Sequence, residues 1–189
     1  GEADVARGIS FLRGVALVSV FGPGMPGVPG VAARIFGAMA QHDISVILIT
    51  QGSSETALSF CVRGGEADAA VAALELAFEP EIALGRVDEI GVRRDLAIVS
   101  LVGDGMRAHA GVAGRFFGAL GEAGVNVAAI AQGASERSIS AVVADADGER
   151  AVRSVHRRFF EHSRRLDVLL AGRGVVGGAF LDLLDSQAE

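Results

Sequence analysis

VALVSVFGPGMPGVPGVAARIFGAMAQHDISVILITQGSSETALSFCV, residues 15–62, and LAIVSLVGDGMRAHAGVAGRFFGALGEAGVNVAAIAQGASERSISAVV, residues 96–143, superpose without a gap at a constant offset of 81, with 21 of 48 pairs identical. The chain is internally duplicated. Gly22/Gly103, Gly24/Gly105, Met25/Met106, Gly30/Gly111, Arg34/Arg115, Gln51/Gln132 and Glu55/Glu136 are among the matching pairs. A repeat of this kind predicts two equivalent modules that bury their apolar faces against each other.

Within the first copy, 15–21 is a β-rich apolar run stopped by Gly22-Pro23-Gly24, a strand and its breaker. Val31, Ile35, Phe36 and Met39 recur at helical spacing and predict an amphipathic helix over 30–42. Strands follow over 44–50 and 56–62, separated by the polar turn Gln51-Gly52-Ser53-Ser54-Glu55. A second helix over 66–79 and a fourth strand over 86–92 complete the order β-α-β-β-α-β. That is an α+β, ferredoxin-like unit with helices on one face of an antiparallel sheet.

The second copy keeps this order through a helix at 149–161 and then departs from it. Its expected last strand, 166–171, runs into Gly172-Arg173-Gly174-Val175-Val176-Gly177 and an apolar helix start, which has the form of a dinucleotide-binding opening. The segment 5–11 is strand-like but has no counterpart in the first copy. It is expected to complete the sheet of the second module, between or beside 96–102 and 137–143, which makes the first module an insertion in the second.

Composition narrows the function classes. Acidic residues outnumber basic ones 23 to 17, and the formal net charge is −6, so a polyanion-binding role is disfavoured. Half the residues are hydrophobic and mean hydropathy is +0.42, which excludes intrinsic disorder. No apolar run approaches the ~18 residues of a membrane span, and the N-terminal residues lack a signal-peptide pattern. The expected compartment is the cytoplasm. Cys61 is the only cysteine; its strand setting reads as a buried structural thiol. His42, His109, His156 and His162 show no ligand spacing, and Asp145, Asp147 and Glu149 read as a turn and helix N-cap rather than a cation site.

Two features carry candidate chemistry. Gly24, Gly27 and Gly30 either cradle an anion with backbone N–H groups at the start of helix 30–42 or form a tightly packed turn. Gln51 and Gln132 each end a strand, and a primary amide either meets a ligand's hydroxyl and ammonium or stabilises the turn.

FGPGMPGVPGVAARIFGAM, SVILITQGSSE, VGDGM, AIAQGASERSIS and LDVLLAGRGVVGG, in that order, resemble the central part of bifunctional aspartokinase/homoserine dehydrogenases. The resemblance implies paired ACT modules: a first over 12–93, a second built from 3–11 and 94–163, and a truncated start of the dehydrogenase over 164–189. It implies an allosteric segment without catalytic activity of its own. The effector is an amino acid, held by Gln51, Ile47, Gly30, Val31 and Ala32, and in the second copy by Gln132 and Gly111. Lysine-sensitive relatives place an acidic residue at position 47, whereas this chain has Ile47 and, in the second copy, Ala128. A lysine ammonium there would lack its counter-charge, and threonine fits better. No cofactor is expected in the fragment; ATP with Mg and NAD(P) belong to the full-length enzyme, where Gly172, Gly174 and Gly177 would bind the dinucleotide. A homodimer or higher homo-oligomer is expected, without nucleic-acid or membrane partners. The rival readings are a fragment of an NAD(P)-dependent dehydrogenase and a dimerisation module with vestigial sites.

Overall fold

The structure is a computed structural model that describes residues 6–23, 30–51, 57–104, 106, 109–132 and 137–161, with Gln51 described through its backbone alone. The elements are β1 (Gly8–Phe21), α1 (Val31–Gln41), β2 (Leu48–Gln51), β3 (Ala57–Arg63), α2 (Ala67–Ala77), α3 (Glu79–Ala83), β4 (Glu89–Val102), α4 (Val112–Glu122), β5 (Val127–Gln132), β6 (Ser138–Ala144) and α5 (Gly148–Phe160). The strands form one antiparallel sheet in the order β2-β3-β1-β4-β6-β5.

Two of these strands are 14 residues long and belong to both halves. The second half of β1 pairs with β3 from Val15↔Arg63 to Phe21↔Ala57, while its first half pairs with the end of β4 from Gly8↔Val102 to Leu12↔Ile98. The N-terminal segment therefore extends the sheet of the second copy, as its lack of a partner in the first copy requires. It is not a separate strand, because it continues through Gly14 into β1. Likewise, the fourth strand of the first copy and the first strand of the second fuse into β4.

Both long strands bend at matched positions. Gly14 has φ +66° and Asp95, 81 residues later, has φ +54°, and the β1–β4 register shifts between Leu12 and Leu17. Left-handed backbone is easily reached by glycine and tolerated by aspartate. Arg13 forms a two-point hydrogen bond with Asp145, with Nη2 2.7 Å from Oδ2, and Arg94 pairs with Asp68 at 2.6 Å.

Side chains alternate along the strands, so each sheet face has its own core. On one face, α1 and α2 cover Ala16, Val18, Phe60 and Val62, and α4 and α5 cover Ala97, Val99, Ala141 and Val143. On the other face Val15, Leu17, Cys61, Leu96, Ile98 and Val142 form a third cluster that spans both copies. The edge strands β2 and β5, at opposite ends of the sheet order, come within 8 Å of each other between Cα atoms. The sheet is thus rolled around this inner cluster, with the helices outside.

Several local expectations need correction. Strand β2 starts at Leu48 rather than at residue 44, because Ile44 is buried in the core under the helices. A short helix, α3, follows α2 where none was expected; Pro80 in its first turn supplies a preset φ. Asp147 stands at the N-cap of α5 without a capping hydrogen bond and instead pairs with Arg150 at 2.6 Å.

Candidate functional site

The two helices expected to face a ligand start alike. Gly30 and Gly111 occupy their N-cap positions with φ 89° and 85°. Their Arg34 and Arg115 amides donate to the Gly30 and Gly111 carbonyls at 3.0 and 2.9 Å. Neither helix has a capping side chain or an acidic residue in its first turn. Among the described residues no side chain caps the first-turn N–H groups, which together with the positive end of the helix dipole suit an external carboxylate. Among the described residues, chain neighbours aside, no atom lies within 4 Å of a Cβ built on Gly30 or Gly111, and their positive φ calls for glycine there.

Gln132 closes β5, is exposed, and pairs with Ile139. Directly opposite residues in an antiparallel pair share a face, and Ile139 is in the core beneath α4 and α5. The structure thus puts Gln132 and the α4 N-terminus with Gly111 on one side of the sheet. Gln51 ends β2 in register with Leu58. Val31 packs on the core under the helices, and Ala32 is exposed. Ile47 departs from this grouping: it packs on the inner cluster, as Ala128 does, and its amide donates to the Cys61 carbonyl at 2.8 Å. Within one chain, Val31 and Ile47 lie against opposite faces.

Ser54, Glu55, Ser135, Glu136 and the Gly172, Gly174, Gly177 fingerprint lie outside the described residues. Among the described residues no group of three or more His, Cys, Asp and Glu could hold a metal ion, and no helix is long and apolar enough to cross a membrane. His42 Nδ1 lies 3.0 Å from the Ala38 carbonyl, and the His156 ring stacks on Phe160.

Sequence reasoning assigned no role to Arg34. Its guanidinium pairs with Glu81, bonds to the Ala77 carbonyl, and lies 4.4 Å from the centre of the Phe78 ring. The Glu81 carboxyl is held below its ordinary pKa, chiefly by that hydrogen bond. Arg34 thereby ties the first turn of α1 to the α2–α3 corner and fixes where its N-terminus points. Arg115 repeats the contact, 5.2 Å from the Phe159 ring. The identity of both Arg and both Phe across the repeat was the available signal.

An ACT domain model matches residues 18–78 and again 99–159, at the spacing of the duplication. The chain belongs to the ACT-domain family. It is 45% identical over 188 residues to a bifunctional aspartokinase/homoserine dehydrogenase of Haemophilus influenzae, covering 100% of this chain but 23% of that protein. The chain therefore spans about a quarter of that relative's length. The regulatory subunit of aspartate kinase from Thermus flavus is 31% identical with a TM-score of 0.69, covering 82% of this chain and 99% of that one. E. coli aspartokinase III in complex with lysine and aspartate is 28% identical with a TM-score of 0.64, covering 84% of this chain and 34% of that one. These ACT modules are thus of the kind found in aspartokinase regulatory regions.

Proposed function

We propose that this chain is the effector-sensing segment of a bifunctional aspartate kinase/homoserine dehydrogenase, and that L-threonine is its effector. The whole enzyme would use ATP with Mg and NAD(P); the segment's task is to bind the amino acid and change its packing. The observation that carries this reading is the pair of helix starts at Gly30 and Gly111, which among the described residues have no capping side chain and no first-turn acid, each in a module whose second strand ends in a glutamine. The effector carboxylate sits on the helix N-terminus and its hydroxyl on Gln51 or Gln132.

The strands β1 and β4, shared by both halves, and the inner cluster between β2 and β5 give a bound effector a route to both modules. Regulation requires that threonine bind two arrangements with different affinity. We extend the reading to a homodimer in which a neighbouring module completes the pocket.

Calorimetric titration tests it. Threonine should bind more tightly than valine, its near-isostere, because a glutamine amide aimed at a missing hydroxyl costs about 1–3 kcal/mol. Gln51→Ala should erase most of that preference, and Gln132→Ala should affect a second site. Equal affinity of the parent chain for threonine and valine would refute the role of Gln51.

A further inference from the structure

Helices α2 and α5 are the same helix of the duplicated unit, 81 residues apart. Their inward positions agree: Ala70 with Ala151, Leu74 with Val155 and Phe78 with Phe159. Their outward positions do not, because Ala72, Glu75 and Leu76 stand where α5 has Arg153, His156 and Arg157, all exposed. Together α2 and α3 form an open groove of about 610 Å³ lined by Ala72, Glu75, Leu76, Glu79, Ile82 and Ala83. Leu76 is 70% exposed and neighbouring Leu84 is 68% exposed. From one ancestral face, one module has kept an apolar floor with an acidic rim and the other a basic ridge. Among the described residues Glu75 and Glu79, like Arg153, Arg157 and Arg158, make no ion pair.

We propose that the α2–α3 groove is the docking site for α5 of a second copy of this chain, the contact being made twice about a two-fold axis. Charge complementarity selects this occupant. Arginine stems lie along apolar surface while their guanidinium groups reach outward, so Arg153 and Arg157 cover Leu76 and Ile82 and pair with Glu75 and Glu79 at the rim. The two helices cover separate cores within one chain, and the two-fold arrangement satisfies both faces of both copies.

Sedimentation velocity of the full chain across a concentration and salt series tests the proposal. The parent is expected to self-associate, less so as salt rises. Glu75→Arg with Glu79→Arg, and separately Arg153→Glu with Arg157→Glu, should each weaken that association by at least about tenfold through like-charge contact. An equimolar mixture of the two variants restores both contacts and should reassemble, which a merely misfolded variant would not do. A parent that stays monomeric, variants that associate like the parent, or a mixture that stays apart overturns the assignment. Threonine titration of the parent tests the effector reading, and titration of the same variants shows whether this contact is the one that completes the effector pocket.

Discussion

Gly22 sits where a side chain has no room. A Cβ there would lie 2.3 Å from the Arg86 carbonyl oxygen and 2.7 Å from Val87 Cα, and backbone cannot give way as a side-chain tip can. Gly22→Ala should therefore cost about 2–3 kcal/mol, read as a lowered urea midpoint; an unchanged midpoint would show that the β1 exit is slack. Cys61 is wholly buried in the inner cluster, and desolvation pushes its thiol up from 9.0 to about 11. Because the folded thiol keeps its proton longer than the unfolded one, its contribution to stability is complete below pH 9 and falls as pH rises towards about 11. Native chain should resist thiol reagents at pH 8, and Cys61→Ala should flatten the alkaline decline in unfolding free energy. Rapid labelling without denaturant would contradict the burial.

At the scale of elements, the bends in β1 and β4 set how the two modules meet. Gly14→Ala must place a Cβ in left-handed backbone, at about 1–2 kcal/mol. Asp95→Gly should be neutral or mildly stabilising, since the relief at φ +54° is offset by glycine's freedom in the unfolded chain. Chemical denaturation of both variants checks the contrast in sign. The Arg13 hydrogen bond holds the Asp145 carboxyl below its ordinary pKa. That stabilisation is present above the ordinary aspartate pKa and is lost as pH falls through the lowered one. Arg13→Ala should return the Asp145 titration, followed by carboxyl NMR, towards the ordinary value. Much of this was legible from the duplication, which gave the module order, the paired helices and the orphan strand read at residues 5–11, of which 8–12 is the stretch that pairs. Periodicity did not reveal the late start of β2 or helix α3. Ile44 is equally apolar in a strand or under a helix, and the α3 signal amounts to one proline in five residues. The candidate site was legible in the Gly30/Gly111 and Gln51/Gln132 pairs. Which face Ile47 takes depends on how the chain enters β2, and alternation alone does not fix that.

At the scale of the whole molecule, the rolled sheet follows from sharing two long strands. Each bends at its middle, so the edges β2 and β5 converge on the inner cluster, and the second half takes one of its strands from the N-terminal residues while the first half has all of its own. The N-terminal residues are the clearest case. Residues 8–12 supply the outer strand to 98–102, the Arg7 amide donates to the Val102 carbonyl at 2.7 Å, and Phe11 fills the space that a Cβ on Gly148 would enter at 2.6 Å. Deleting residues 1–12 strips β4 of that partner over its second half and uncovers α5. It leaves the pairing of 15–21 with β3 intact. The truncated chain should lose amide protection mainly in β6 and α5 while β3 and α2 stay protected, and it should bind a hydrophobic dye that the full chain does not. Equal loss in both halves would mean that the shared strands and inner cluster bind them into one cooperative unit. No loss in either would mean that the segment merely lies against the sheet.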